Sequence, residues 1–264
     1  MADSPVKQAL ARGEAVIGTM LGEMASPGTC RIVKQAGYDF VIFDTEHHWP
    51  GVETIAWLLR SARDIGLQAY VRAPGFRGQW PARYLDLGAA GLIFPHVESG
   101  EQCAQIVSQV KFPPAGKRGL GTNIAHDDYR ARPAAEFTAT ANTETLVAVQ
   151  IETAAGLQAR EEIVGVPGVD AVFIGPNDLS LSLGLAGQLD HPTVVGAIED
   201  IFAAAQAAGV APGMHVFDMP SALQYLDAGC RFLCFRSEVS FFVGGSREAL
   251  TELRAHPSVC EGVY

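Results

Sequence analysis

Short apolar, β-branched runs alternate along the whole chain with longer segments of helical periodicity. Strands are predicted at Ala15–Met20, Phe40–Phe43, Gln68–Val71, Gly91–Phe94, Leu146–Gln150, Ala171–Ile174, Ala211–His215 and Phe232–Phe235. Helices are predicted at Pro27–Ala36, Val52–Ile65, Gln79–Leu87, Gly100–Val110, Ala154–Ile163, Thr193–Ala208, Met219–Ala228 and Arg247–Arg254. Five of them stop at a glycine just before the next strand (Gly37, Gly66, Gly88, Gly209, Gly229), which suits a left-handed cap. The strands read as continuous apolar runs, as parallel strands covered on both faces do. About eight β-then-α units predict an α/β TIM (β/α)8 barrel in one domain spanning residues 1–264. A doubly wound open sheet is the alternative, but no Gly-rich dinucleotide fingerprint follows the first strand.

One stretch breaks the rhythm. Phe112–Asn142 is too long for a simple connection, so a loop and an extra short helix are expected there, over the rim of the barrel.

Composition narrows the classes. With 48% hydrophobic and 18% charged residues, the 264-residue chain has enough apolar material for a sizeable core. A formal net charge of −10 with no basic stripe argues against nucleic acid as a partner. An anionic substrate then needs local positive charge, from a placed Arg or a metal. The five cysteines (Cys30, Cys103, Cys230, Cys234, Cys260) are odd in number and lack zinc or redox spacing, which fits a reduced, cytoplasmic chain. The first 14 residues lack the apolar core of a signal peptide, and no run of 18 apolar residues suggests a membrane span.

The ends of the predicted strands carry the chemistry. Phe40–Phe43 runs directly into Asp44-Thr45-Glu46-His47-His48, two carboxylates and two imidazoles. A His near an Asp is the usual way to fix a proton acceptor close to neutral pH, although Asp44 and Glu46 would also suit a helix N-terminus. Arg72 follows the third strand, Glu152 the fifth and Asp178 the sixth. Glu152 and Asp178, on neighbouring strands, either cap strand ends or hold a hard divalent cation. Arg72 can hold a carboxylate or an enolate oxygen, or form a structural salt bridge. In Gly175-Pro176-Asn177-Asp178 the N–H groups of Asn177 and Asp178 could face an anion. His48 and Trp49 read as the start of a loop. His96, His126, His191, His215 and His256 are scattered, and surface or packing roles suit them. Pro113-Pro114 rules out a phosphate-binding Walker loop at Gly116-Lys117-Arg118.

Taken in order, Asp44-Thr45-Glu46-His47, Val71-Arg72, Leu85-Asp86-Leu87-Gly88-Ala89, Phe112-Pro113-Pro114 with Arg118-Gly119, Gln150-Ile151-Glu152-Thr153 and Phe173-Ile174-Gly175-Pro176-Asn177-Asp178-Leu179-Ser180 resemble the HpcH/HpaI family of metal-dependent (class II) pyruvate aldolases. The resemblance runs from about Gly18 to Phe235. It implies a TIM barrel whose last helix is exchanged between subunits of a hexamer, a trimer of dimers. It makes Glu152 and Asp178 ligands of Mg²⁺, Mn²⁺ or Co²⁺, and His47 a general base paired with Asp44. Arg72 becomes the group that stabilises the pyruvate oxygen. Gln150 and Gly175, Pro176, Asn177 and Asp178 line the pyruvate site, and Asp86 joins a proton relay from a neighbouring subunit. The chain departs from the family pattern at Met20-Leu21-Gly22-Glu23, Asn123–Tyr129 and Arg236-Ser237-Glu238, where the distal end of an aldehyde would sit.

The function so implied is reversible cleavage of a 4-hydroxy-2-oxo acid to pyruvate and an aldehyde. The cation polarises the ketone, His47 exchanges the methyl proton, and Arg72 stabilises the enolate. No Lys follows a strand in a way that suggests a Schiff base. An acyl-CoA lyase of the citryl- or malyl-CoA type is the alternative enzyme, with only Lys111, Lys117 and Arg118 to meet CoA phosphates. A non-catalytic barrel that binds 2-oxo acids is the alternative outside catalysis.

Overall fold

The computed structural model describes residues 4–48 and 51–258. Trp49 and Cys260, both read from the sequence above, lie outside the described residues. Eight parallel strands close into a barrel in sequence order: β1 (Val16–Leu21), β2 (Phe40–Asp44), β3 (Gln68–Arg72), β4 (Gly91–Phe94), β5 (Leu146–Gln150), β6 (Ala171–Ile174), β7 (Ala211–Val216) and β8 (Phe232–Ser237). β1 pairs with both β2 and β8, which closes the ring. The predicted strands match to within a residue or two.

The helices are α1 (Pro5–Ala11), α2 (Pro27–Gln35), α3 (Val52–Asp64), α4 (Trp80–Asp86), α5 (Gly100–Val110), α6 (Ala134–Glu144), α7 (Ala154–Gln158), α8 (Arg160–Val164), α9 (Pro176–Ser182), α10 (Pro192–Ala207), α11 (Met219–Asp227) and α12 (Glu238–Arg254). The five glycines predicted as left-handed caps all take positive φ, where a Cβ would be strained. Helices α1 and α9 and the first half of α12 escaped the sequence reading. Helix α1 buries Val6 and Ala9 under the barrel and ties Lys7 to Asp170 at 2.9 Å. Helix α12 begins nine residues earlier than predicted, since a Ser237–Ser240 capping box starts it and it runs through Gly244-Gly245.

Alternation along the strands sorts the side chains into two cores. Val41, Phe43, Val71, Leu92, Val149 and Val172 face the helices. Met20, Phe40, Ile42, Tyr70, Ile93, Ala148, Phe173 and Phe232 fill the barrel. Phe40 stacks on Phe232 at 4.4 Å, with Tyr70 edge-on to both and Phe173 edge-on to Phe232, so aromatic rings fill the interior. Gly18 permits this plug, because a Cβ there would lie 2.3 Å from the Phe40 ring. Counting two residues on from the inward Ile42, Tyr70, Ala148 and Gly213 puts Asp44, Arg72, Gln150 and His215 inward at the carboxyl rim.

The long segment before β5 does not cover that rim, contrary to the sequence expectation. Its 3-10 turn (Ala125–Asp127) and α6 pack at the opposite, amino-terminal end of the barrel. There Arg118 donates to Asp86 (2.7 Å) and to His126 Nδ1 (2.9 Å), while Lys111 donates to the carbonyls of Asn142 and Thr145. The physical cause is the apolar set Phe112, Phe137 and Ala141, which is buried together there. Within its own chain Asp86 is therefore at the far end from the rim, at the C-terminus of α4.

Candidate active site

The rim site is built around Asp44, which ends β2 fully buried. Arg72, the last residue of β3, donates to both its oxygens, from Nε and Nη2, each at 2.8 Å. The Glu46 backbone N–H reaches Oδ1 at 3.0 Å, and His48 Nδ1 lies 2.5 Å from Oδ2. Burial alone would raise the Asp44 carboxyl; Arg72, His48 and the Glu46 N–H outweigh it and hold the pKa at about 2. Asp44 is thus a fixed anion that pins one guanidinium in the mouth of the barrel.

This geometry corrects one expectation. Asp44 is paired with His48 and Arg72, not with His47. The chain turns sharply after β2, so the side chain four residues on folds back over the carboxylate. His48 then lies flat against Gly22, where a Cβ would come within 2.2 Å of its ring. His47 projects outward, its side chain 56% exposed, with Nε2 3.8 Å from Glu46 Oε2.

A second cluster stands beside the first. Glu152, after β5, is 1% exposed, and its Oε1 accepts the His96 backbone N–H at 2.8 Å. Its Oε2 accepts from Gln150 Nε2 at 2.5 Å. The His96 ring spans two carboxylates: Nδ1 is 3.1 Å from Glu152 Oε1, and Nε2 is 3.2 Å from Glu46 Oε1. Glu46 also lies 3.2 Å from Arg72 Nη1. Burial is the largest cause raising both carboxyls above the usual range; Arg72 opposes it at Glu46, while Asp178 adds to it at Glu152. One ligand atom each from Glu46, His96 and Glu152 falls within 4.8 Å of the others, a spacing suited to a cation.

Gly175 makes room for this arrangement. It precedes α9, and a Cβ on it would stand 2.3 Å from Glu152 Oε2 and 3.5 Å from Gln150 Nε2. Pro176, Asn177 and Asp178 follow as the first turn of α9, and Asp178 is near enough to Glu152 to disfavour its ionisation. Gln150 is fully buried, and its Oε1 has no hydrogen-bond partner among the described residues.

Several rim residues were missed or undervalued in the sequence. His96 stands two residues after the end of β4, and that strand-end position was the available signal. His215 is inward on β7 and donates from Nε2 to the Arg236 carbonyl. Burial lowers its pKa to about 4, so it is a neutral imidazole at pH 7. Glu238, one of the departures from the family pattern, receives the N–H groups of Gly22, Glu23 and Met24 on one oxygen at 2.8, 2.7 and 3.0 Å. It clamps the β1 loop to the start of α12. His126 lies at the other end of the molecule.

The chain is similar to known proteins over nearly its whole length. A family model described as HpcH/HpaI aldolase/citrate lyase matches residues 20–242. A hydroxypyruvate/pyruvate aldolase of Paraburkholderia phytofirmans is 34% identical over 258 residues, covering 96% of this chain and 98% of that protein. A 4-hydroxy-2-oxo-heptane-1,7-dioate aldolase of Salmonella arizonae is 32% identical and covers 98% of each. A crystal structure of an HpcH/HpaI aldolase from Desulfitobacterium hafniense superposes with a TM-score of 0.92 at 31% identity, covering 97% of this chain and 98% of that one.

Proposed function

The chain belongs to the HpcH/HpaI aldolase/citrate lyase family and is an aldolase, a carbon–carbon lyase; on that footing we propose that it cleaves a 4-hydroxy-2-oxo acid reversibly to pyruvate and an aldehyde with the help of a divalent cation. The observation that carries the reading is the convergence of buried Glu152 and half-buried Asp178 with Arg72 at one end of the barrel. Asp178 disfavours the ionisation of Glu152, and a cation removes that cost.

In this reading Glu152 and Asp178 hold Mg²⁺, Mn²⁺ or Co²⁺. When bound, the ion acts as a Lewis acid toward the substrate ketone, which favours charge on its oxygen as the bond breaks. Arg72, already oriented by Asp44, offers Nη1 toward the same oxygen. Gln150 and the turn Gly175-Pro176-Asn177-Asp178 form the walls of the pyruvate site. His47 is the base that moves the methyl proton: its ring is open at the mouth, whereas His48 is committed to Asp44 and covered by Gly22. Glu46 takes the place expected of Asp44 as the carboxylate beside His47.

The assembly belongs to the same reading. Helix α12 has no buried residue along its 17 positions, and Phe242, Leu250 and Leu253 are well exposed on it. Such a face supports packing on another subunit, as in a hexamer with exchanged helices, where Asp86 could approach a neighbour's rim. No described helix is long and apolar enough to cross a membrane. Cys30, Cys103, Cys230 and Cys234 are free and buried, which supports a cytoplasmic location.

The test is a retro-aldol assay that follows pyruvate release. Removing metal with EDTA should abolish activity, and Mg²⁺, Mn²⁺ or Co²⁺ should restore it. Full activity in a thoroughly stripped sample overturns the reading.

A further inference from the structure

His96 is the one rim imidazole, among the described residues, with both nitrogens turned to carboxylates. Nδ1 faces Glu152 Oε1 and Nε2 faces Glu46 Oε1, at 3.1 and 3.2 Å. A neutral imidazole has a single N–H. Between two ionised carboxylates, such a ring would set a nitrogen lone pair against one carboxylate oxygen, and a cation at that contact would relieve the repulsion. The main chain at His96 is held in an uncommon conformation. His96 sits at φ 54°, a region few non-glycine residues occupy. Its N–H is held by Glu152 and its carbonyl by Gln102 Nε2. Strain retained at a site-lining residue is a mark of function. Glu46 Oε2 is ion-paired with Arg72 Nη1 at 3.2 Å, which leaves Oε1 to face His96, and the ligand atoms of Glu46, His96 and Glu152 fall within 4.8 Å of one another.

Resting on the proposed cation at Glu152, we propose that His96 is itself a nitrogen ligand of that cation, with Glu46 on its far side. The site is then a mixed nitrogen–oxygen site rather than an all-carboxylate one. Imidazole suits the later transition ions better than it suits Mg²⁺, so this chain should prefer Co²⁺ over Mg²⁺ through His96. An imidazolium bridging the two carboxylates would satisfy the same contacts without metal, and it predicts the opposite experimental outcome.

Pulsed EPR of Mn²⁺ bound to the full-length protein decides between them, because it reads a directly bound nitrogen without reference to turnover. Wild type should show ¹⁴N modulation that changes to a ¹⁵N pattern when histidine is ¹⁵N-labelled. His96→Ala and His96→Gln, checked for fold by circular dichroism, should lose it. In both, Co²⁺ affinity by equilibrium dialysis should fall at least about tenfold, with a smaller change for Mg²⁺. Mn²⁺ bound by wild type without nitrogen coupling, or coupling that persists in both variants, overturns the assignment while leaving the cation at Glu152 and Asp178 intact. Absence of any Mn²⁺ binding overturns both.

Discussion

Replacing Asp44 by Asn tests whether the buried Asp44–Arg72 pair holds the rim together. The carboxylate is fully buried, and its pKa falls from 3.8 to about 2. A tenfold change in an ionisation constant corresponds to about 1.4 kcal/mol, so the ionised form contributes roughly 2.5 kcal/mol at pH 7. The sign follows from the depressed pKa. The contribution is complete well above the unfolded value of 3.8 and disappears as pH falls through the folded value of about 2, with roughly half left at pH 3. The neutral amide would also leave Arg72 short of a counter-charge, a loss moderated by Glu46 at 3.2 Å. Together these give an expected loss of about 3 kcal/mol at pH 7. Urea unfolding of wild type and Asp44→Asn at one protein concentration, at pH 7, 5, 4 and 3, measures it. The gap should stay constant from pH 7 to 5 and close by about half at pH 3. A gap under about 0.5 kcal/mol at pH 7, or one that widens in acid, refutes this account of the pair. An Asp44→Asn/Arg72→Met double variant should lose less than the sum of the singles, because the stranded charge has gone.

Gly175→Ala places a Cβ 2.3 Å from Glu152 Oε2, so metal affinity by dialysis should drop at least about tenfold while the thermal midpoint changes little; unchanged affinity would mean that the carboxylate has room to spare. His47→Ala should slow exchange of pyruvate methyl protons with deuterated water by at least about 10²-fold, whereas His48→Ala should act mainly on stability; the reverse ranking would transfer the base role to His48. Borohydride treatment in the presence of pyruvate should add no mass to the protein, and a pyruvate–lysine adduct seen by mass spectrometry would sink the metal-dependent scheme. Glu238→Ala releases three backbone N–H groups and should cost about 2 kcal/mol in chemical unfolding, with an effect within about 0.5 kcal/mol counting against a clamp.

The barrel was legible because its signals are local. Apolar runs, helical periodicity and terminal glycines each report on a few residues, and parity along β2, β3 and β5 points Asp44, Arg72 and Gln150 inward. What was not legible depended on packing between distant segments. The pairing of Asp44 with His48 is set by the bare backbone of Gly22, 26 residues away in the chain. The position of the segment after Phe112 is set by where Phe112 and Phe137 find cover, and its length alone suggested a lid. His96 stood at a strand end in plain view, yet its value comes from Glu46 and Glu152, which only the closed ring brings to it. The first nine residues of α12 went unread because its start is set by the capping box at Ser237, and the helix continues through Gly244-Gly245.

The stacked rings of Phe40, Tyr70, Phe173 and Phe232 have a kinetic meaning. They stop the barrel like a cork, so whatever enters at the carboxyl rim must leave by the same door. If pyruvate lies deepest, against Arg72 and Gln150, the aldehyde sits above it on the way out. Order of release is then a matter of depth: the aldehyde departs first, and pyruvate cannot leave until it has gone. In the direction of synthesis pyruvate must arrive first. Product-inhibition patterns should carry that signature, with pyruvate competitive against the hydroxy-oxo acid and the aldehyde not.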